Sequence, residues 1–284
     1  MLLCFHGTLV RGERLSWAER VALARRTGYQ AIDFDYRHVE QTLAERPGLD
    51  AAGFWAEAGL APGMAGGVGL PGLFAPEEEF NRGLSGVAAA AEAAARTGAR
   101  QVGLVMQNRS RLPEAEARAL VVGRLRRMGQ ALSAAGLRLA VEFIGVRSLW
   151  PDLPHPFAQR YEETLALFEE SGCDNVGFLL DSYHWYGAEA TLAQVAATPK
   201  QRIVYAHVND SKPGPRVAIQ DADRLLPGEG VIDLGGWFRA LAMTGFDGCV
   251  APEVLGPRLE GMTSEQAAIA CRDGIVAAMR AAGQ

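Results

Sequence analysis

The chain is poor in cysteine. Its four, Cys4, Cys173, Cys249 and Cys271, stand far apart and form no C-x-x-C pair. They read as reduced, buried thiols of a cytoplasmic protein. No apolar stretch approaches the roughly 18 unbroken residues of a membrane span. The N-terminal MLLCFHGTLV carries no basic region, so it is not a signal peptide. Positive charge is in deficit too: the formal net charge is −5 and the pI is about 5.6. That balance argues against a nucleic-acid or membrane surface. No G-x-G-x-x-G follows the first apolar run, where a dinucleotide site would need it. With no internal repeat, low-complexity segment or second core boundary, residues 1–284 read as one domain.

What the chain does have is alternation. Short apolar runs predict strands at Leu2–Phe5, Ala31–Phe34, Met64–Leu70, Gln101–Met106, Leu137–Ile144, Val176–Leu180, Ile203–Val208 and Gly248–Val254. Helices are predicted at Ser16–Thr27, Pro76–Thr97, Pro113–Ala135, Tyr161–Ser171, Glu189–Ala197, Leu234–Met243 and Thr263–Ala282. Ser16 and Glu19 have capping-box spacing. Gly28, Gly98, Gly136, Gly172 and Gly245 each close a helix before a strand. Nearly continuous apolar strands are buried on both faces, as parallel strands are. Such units in a chain of this length predict an α/β fold, a (β/α)8 TIM barrel. The segments 145–159 and 211–230 read as long loops.

Active sites of such barrels lie at the C-terminal strand ends. Four consecutive strands end in metal-competent side chains: LAVEF in Glu142, FLLD in Asp181, VYAHVND in His207, and VAPEV in Glu253. Asp181 alone would serve equally as a helix cap. Glu142 and Glu253 are harder to explain that way, because Glu in an apolar strand is rarely buried without a partner. Three converging carboxylates would repel one another unless a cation joined them. Oxygen-rich ligation with one imidazole suits one divalent ion, Mn2+ or Mg2+ first, with Co2+ or Zn2+ also admissible.

With these residues in place, the chain resembles the sugar phosphate isomerase/epimerase family, the xylose isomerase-like TIM barrels of the AP endonuclease 2 superfamily. The resemblance is strongest from Leu137 to Leu255. It implies that Glu142, Asp181, His207 and Glu253 hold the metal, and that Glu142 and Glu253 also move the proton. The D-x-x-H of the family stands here as Asp181-Ser182-Tyr183-His184, which makes His184 a substrate contact. HVND, Arg216 and LPGEGVIDL follow the same pattern after strand seven, with Arg216 as a second substrate contact. The implied activity is metal-dependent isomerisation or epimerisation of a sugar, sugar phosphate or related hydroxycarbonyl compound through an enediolate. A dehydratase of inosose or 3-dehydroshikimate type would use the same chemistry. A non-catalytic sugar-binding barrel is the remote alternative. The partners implied are a small-molecule substrate and, as an option, a second copy of the chain.

The repair-endonuclease branch is excluded on histidine count. Those enzymes need several more than the five present, His6, His38, His155, His184 and His207, and this chain reads Asp223-Arg224-Leu225 where they carry Asp-Arg-His. A further departure lies after Glu142: no acid precedes Asp152, whereas Arg147 could hold an acidic or phosphorylated substrate. His6 and Asp33 are candidate substrate contacts at the rim, with Asp35 competing for the place of Asp33. Trp185, with Trp150 and Phe157, is a candidate apolar wall against water, or ordinary core. His155 reads as a surface or lid residue and Glu229 as part of a tight turn.

Overall fold

The computed structural model describes residues 1–284. Eight parallel strands close into a barrel. They are β1 Leu2–Phe5, β2 Ala31–Asp35, β3 Ala61–Gly66, β4 Gln101–Met106, β5 Arg138–Phe143, β6 Val176–Asp181, β7 Ile203–Val208 and β8 Cys249–Pro252. Each strand pairs with its neighbours in sequence, and β8 closes on β1 through Leu2 opposite Cys249. The helices are α1 Trp17–Arg26, α2 Tyr36–Glu45, α3 Ala51–Ala58, α4 Glu77–Arg96, α5 Glu114–Ser133, α6 Tyr161–Ser171, α7 Ser182–Gly187, α8 Leu192–Ala196, α9 Leu234–Met243 and α10 Ser264–Ala281. No helix is long and apolar enough to cross a membrane. All four cysteines are buried and unpaired.

Two predicted elements move and one connection gains helices. The third strand starts at Ala61 instead of Met64 and ends at Gly66. Gly67 and Gly69 adopt left-handed φ of 92° and 73°, which stops an extended run there. The apolar pattern predicts no helix in the connection from β2 to β3. That connection contains α2, capped by Asp35, and α3, capped by Asp50 and closed by left-handed Gly59. The helix expected from Glu189 begins at Leu192. Glu189 takes φ 56°, and Thr191 supplies the cap instead.

The site is set by strand parity. Side chains alternate along a strand, so residues two apart share a face. Leu139, Val141, Phe143, Phe178 and Leu180 pack outward into the main core between sheet and helices. There Phe178 stacks on Tyr161 at 4.6 Å and meets Phe168 edge-on at 4.9 Å. Ala140, Leu179, Tyr205 and Ala251 join Cys4 and Cys249 in a separate apolar plug. One pleat beyond each of these stand Glu142, Asp181, His207 and Glu253. The barrel interior therefore changes from apolar to charged within one layer.

Two long loops fold over that end. Residues 145–159 contribute His155–Pro156, which pairs antiparallel with Arg109–Ser110 after β4. Residues 211–230 return through an antiparallel bridge between Asp210 and Leu225. The Asp210 carboxylate accepts N–H bonds from Gly228, Gly230 and Ile232 at 2.9–3.0 Å. Gly230 is required there, since a Cβ would lie 2.1 Å from the Ser211 carbonyl oxygen.

Candidate metal centre and active site

Glu142, Asp181, His207 and Glu253 each direct one ligand atom into a common space, all within 4.8 Å of one another. His207 Nδ1 is the inner atom. It lies 3.4 Å from Glu142 Oε1, 3.4 Å from Glu253 Oε2 and 3.9 Å from Asp181 Oδ2. Yet both His207 ring nitrogens and Glu142 Oε1 are buried without a hydrogen-bond partner. Orphaned polar atoms at such depth are costly. The donor set, three carboxylates and an imidazole converging on one point, fits one divalent metal ion.

The clustered acids draw positive charge onto their neighbours. Burial works against charging His207, but the Glu253 and Glu142 carboxylates outweigh it and hold its pKa well above the ordinary imidazole value. Burial would raise the Glu253 pKa. His207 and Arg224 outweigh it and hold that carboxyl well below its usual range. Such mutual shifts are what closely packed opposite charges produce.

Asp181 does two jobs. Its Oδ1 accepts the N–H groups of Tyr183 at 2.6 Å and His184 at 3.1 Å, capping α7. Its Oδ2 faces the cluster and accepts from Asn209 Nδ2 at 3.1 Å. The cap and the ligand candidate are the same carboxylate.

Arg224 is the residue that sequence reasoning missed. It is buried, and its Nη1 donates to Asp181 Oδ2 and Glu253 Oε2, both at 2.8 Å. Its Nε and Nη2 donate to Asp221 Oδ1 at 3.0 and 2.6 Å. Burial opposes its charge, but Asp181, Glu253 and Asp221 outweigh burial and raise its pKa. Within one loop nothing local distinguishes Arg224 from Arg216. The Asp210–Leu225 bridge decides between them by returning residue 224 over the barrel.

The other candidates divide by location. His6 and Asp33 line the same cleft as Glu142, His207 and Glu253, a space of about 480 Å3. His6 Nδ1 lies 2.9 Å from Thr8 Oγ1, and Nε2 lies 4.0 Å from Asp33 Oδ2. Burial and His207 lower its pKa. Asp33 Oδ1 accepts from Tyr205 Oη and Met64 N, both at 2.7 Å. His184 stands on the far side of Arg224, its Nε2 3.3 Å from Nη2, and does not line the cleft. Arg216 lies over the Tyr186 ring at 4.3 Å, away from the four donors. Trp185 is buried core, its Nε1 donating to Thr191 O at 3.4 Å. Trp150 donates to Ile144 O at 3.1 Å, and Phe157 packs edge-on against Phe74 at 5.2 Å. Arg147 opens on a separate cavity of about 660 Å3 that none of the four donors lines. Asp35 caps α2, His155 is tied into the short ribbon, and Glu229 pairs with Arg258 at 2.7 Å beside its turn.

The sequence model of the xylose isomerase-like TIM barrel matches residues 21–272. The chain belongs to this family. A solved xylose isomerase domain protein from Alicyclobacillus acidocaldarius subsp. acidocaldarius is 33% identical, superposes with a TM-score of 0.85, and each chain covers 100% of the other. The IolI protein, solved with a zinc atom, is 22% identical with a TM-score of 0.80 over 98% of both chains, a likeness of fold. Inosose isomerase of Bacillus subtilis (strain 168) is 29% identical over 132 residues, which is 46% of this chain and 45% of that protein. The chain thus spans a little under half the length of this curated relative.

Proposed function

We propose that this member of the xylose isomerase-like family is a divalent-metal-dependent isomerase or epimerase of a sugar or a related hydroxycarbonyl compound such as an inosose. The observation that carries the proposal is the convergence of Glu142, Asp181, His207 and Glu253 beside a cleft that three of them line, with Glu142 Oε1 and both His207 nitrogens unpartnered. The likeness to an inosose isomerase supports the substrate class. Mn2+ or Mg2+ suits the oxygen-rich donors, and Zn2+ has a precedent in the IolI structure.

When bound, the metal would polarise a substrate carbonyl and stabilise the negative charge that develops on its oxygen. The chain's own residues supply the rest. Glu142 and Glu253 approach His207 Nδ1 from two strands at 3.4 Å each, so the acids flank one point. One carboxylate removes the proton next to the carbonyl and the other returns it. Arg224 fixes the orientation of Glu253. His6, beside Asp33, contacts a substrate oxygen at the β1 rim.

The test is solvent deuterium incorporation into ketoses and inososes by protein loaded with Mn2+, Mg2+, Co2+ or Zn2+, followed by NMR. Exchange next to the carbonyl is expected with one metal at least. Glu253→Gln should lower it by about 10²–10⁴-fold, the range of general acid–base contributions. Absence of metal binding at the four-residue cluster, or undiminished exchange in Glu253→Gln, would refute the scheme.

A further inference from the structure

The cleft runs past Glu142, His207 and Glu253 to a wall built from α1, α2 and the end of β2, where Trp17, Arg20, Asp35 and His38 face the same space. Arg20 stands out because its charge is unspent. Its Nε is enclosed and has no hydrogen-bond partner. Arg20 forms no ion pair, and the acids of the segments next to it in sequence have other contacts. Glu13 accepts from Ser264 Oγ, Glu19 closes the capping box with Ser16, and Glu40 accepts from Arg96 at 3.5 Å. Asp35 Oδ1 accepts from Arg37 N at 2.9 Å. Asp33 Oδ1 is held by Met64 N and Tyr205 Oη, while its buried Oδ2 has no hydrogen-bond partner and lies 4.0 Å from His6 Nε2.

Helix electrostatics do not explain the residue either. Arg20 lies near the N-terminus of α1, where the aligned peptide dipoles disfavour a cation. Trp17 precedes it by three positions, so the two share a helix face. The Trp17 ring lies 5.4 Å from the exposed His38 ring. Together they form an aromatic surface beside a planar fork of unoccupied N–H donors. A guanidinium fork matches the paired oxygens of a carboxylate or phosphate.

We propose that Arg20, with His38 beside Trp17, is a subsite for an anionic group on the substrate, at the end remote from the reacting carbonyl. The proposal rests on the isomerase or epimerase function and narrows its substrate to an acid or a phosphate ester. Arg147 is not part of this subsite, because it opens on the other cavity.

The test is titration calorimetry on Mn2+-loaded wild type, Arg20→Gln and Arg20→Lys. The probes are ribulose against ribulose 5-phosphate, and fructose against 2-ketogluconate. Wild type should bind one anionic probe at least about tenfold more tightly than its neutral counterpart, the scale of a charge-assisted pair. Preference for the phosphate or for the carboxylate identifies which anion the site takes. In Arg20→Gln that preference should vanish, with Mn2+ and neutral-probe binding unchanged. Arg20→Lys should retain part of it. Equal affinity within each probe pair in wild type, or a preference that survives Arg20→Gln, overturns the proposal. A parallel titration of metal-free protein with inorganic phosphate and with acetate separates the two claims. If no metal binds, the isomerase proposal fails, while loss of anion binding on Arg20→Gln still upholds the subsite and its persistence still sinks it.

Discussion

Replacing Arg224 by methionine removes one cation from among Asp181, Glu253 and Asp221 while preserving much of the buried volume. Nη1 and Nη2 are 2.8, 2.8 and 2.6 Å from those carboxylates, and the side chain is 2% exposed. No solvent can replace it without the loop opening. Removing one partner of a buried pair typically costs about 3–5 kcal/mol, because the acids left behind are uncompensated. For a chain of this size about 1 kcal/mol shifts Tm by about 2 °C, so metal-free Arg224→Met should melt roughly 6–10 °C below wild type. A divalent metal would neutralise two of the same acids, Asp181 and Glu253. Saturating Mn2+ should therefore narrow the gap between variant and wild type. Arg224→Lys keeps the charge but loses the fork that reaches three acids, so it should fall between. The assay is thermal denaturation of all three proteins in chelator and in excess Mn2+. If Arg224→Met melts with wild type in chelator, the guanidinium does not hold the cluster together. If Mn2+ stabilises both proteins equally, Arg224 and the metal do not share ligands.

Three further outcomes follow from the same contacts. Asp210→Ala strands the N–H groups of Gly228, Gly230 and Ile232, at about 1–3 kcal/mol for an unsatisfied buried group. It should lower Tm and expose residues 211–230 to limited proteolysis; resistance equal to wild type would show that the bridge at Leu225 suffices. Arg216→Ala should leave turnover and metal affinity within about twofold, since Arg216 packs on Tyr186; a loss comparable to that of Glu253→Gln would place Arg216 at the substrate after all. Phe178→Ala should cost about 3–5 kcal/mol by denaturant titration, because Tyr161, Phe143 and Phe168 all close on that ring; a cost below about 1 kcal/mol would mean the helix layer re-packs freely.

The ring of donors was legible because its information is local. Each donor follows an inward apolar residue by two positions on a run apolar enough to be a buried strand, so parity alone aims it into the barrel. The αL glycines marked where helices stop, and the alternation they bounded predicted the barrel. The connection from β2 to β3 was not legible. α2 is polar along most of its length, and Pro47-Gly48 separates it from α3. Arg224 was hidden for a different reason. Its position depends on a carboxylate, Asp210, that collects backbone N–H groups from far along the loop, and loop closure of that kind leaves no periodic trace. Arg20 is hidden likewise, since α1 reads as an ordinary outer helix until α2 and the rim of the barrel are placed beside it.

Asp181 shows why the cap and the ligand need not be alternatives. A carboxylate at the end of a strand has free rotation about two bonds, and a metal site or a paired arginine needs one oxygen held in place. The N–H groups of Tyr183 and His184 hold Oδ1, so the direction of Oδ2 is fixed by the first turn of α7. Asn209 then restrains Oδ2 from just past β7, and its amide also donates to the Glu253 carbonyl at 3.1 Å. The same turn that a cap would build for stability thus positions the atom that Arg224 meets. Asp181→Asn can still cap but changes the charge on Oδ2, whereas Asp181→Ala loses both. The separation between those two variants in Tm and in metal affinity measures how far each role depends on the other.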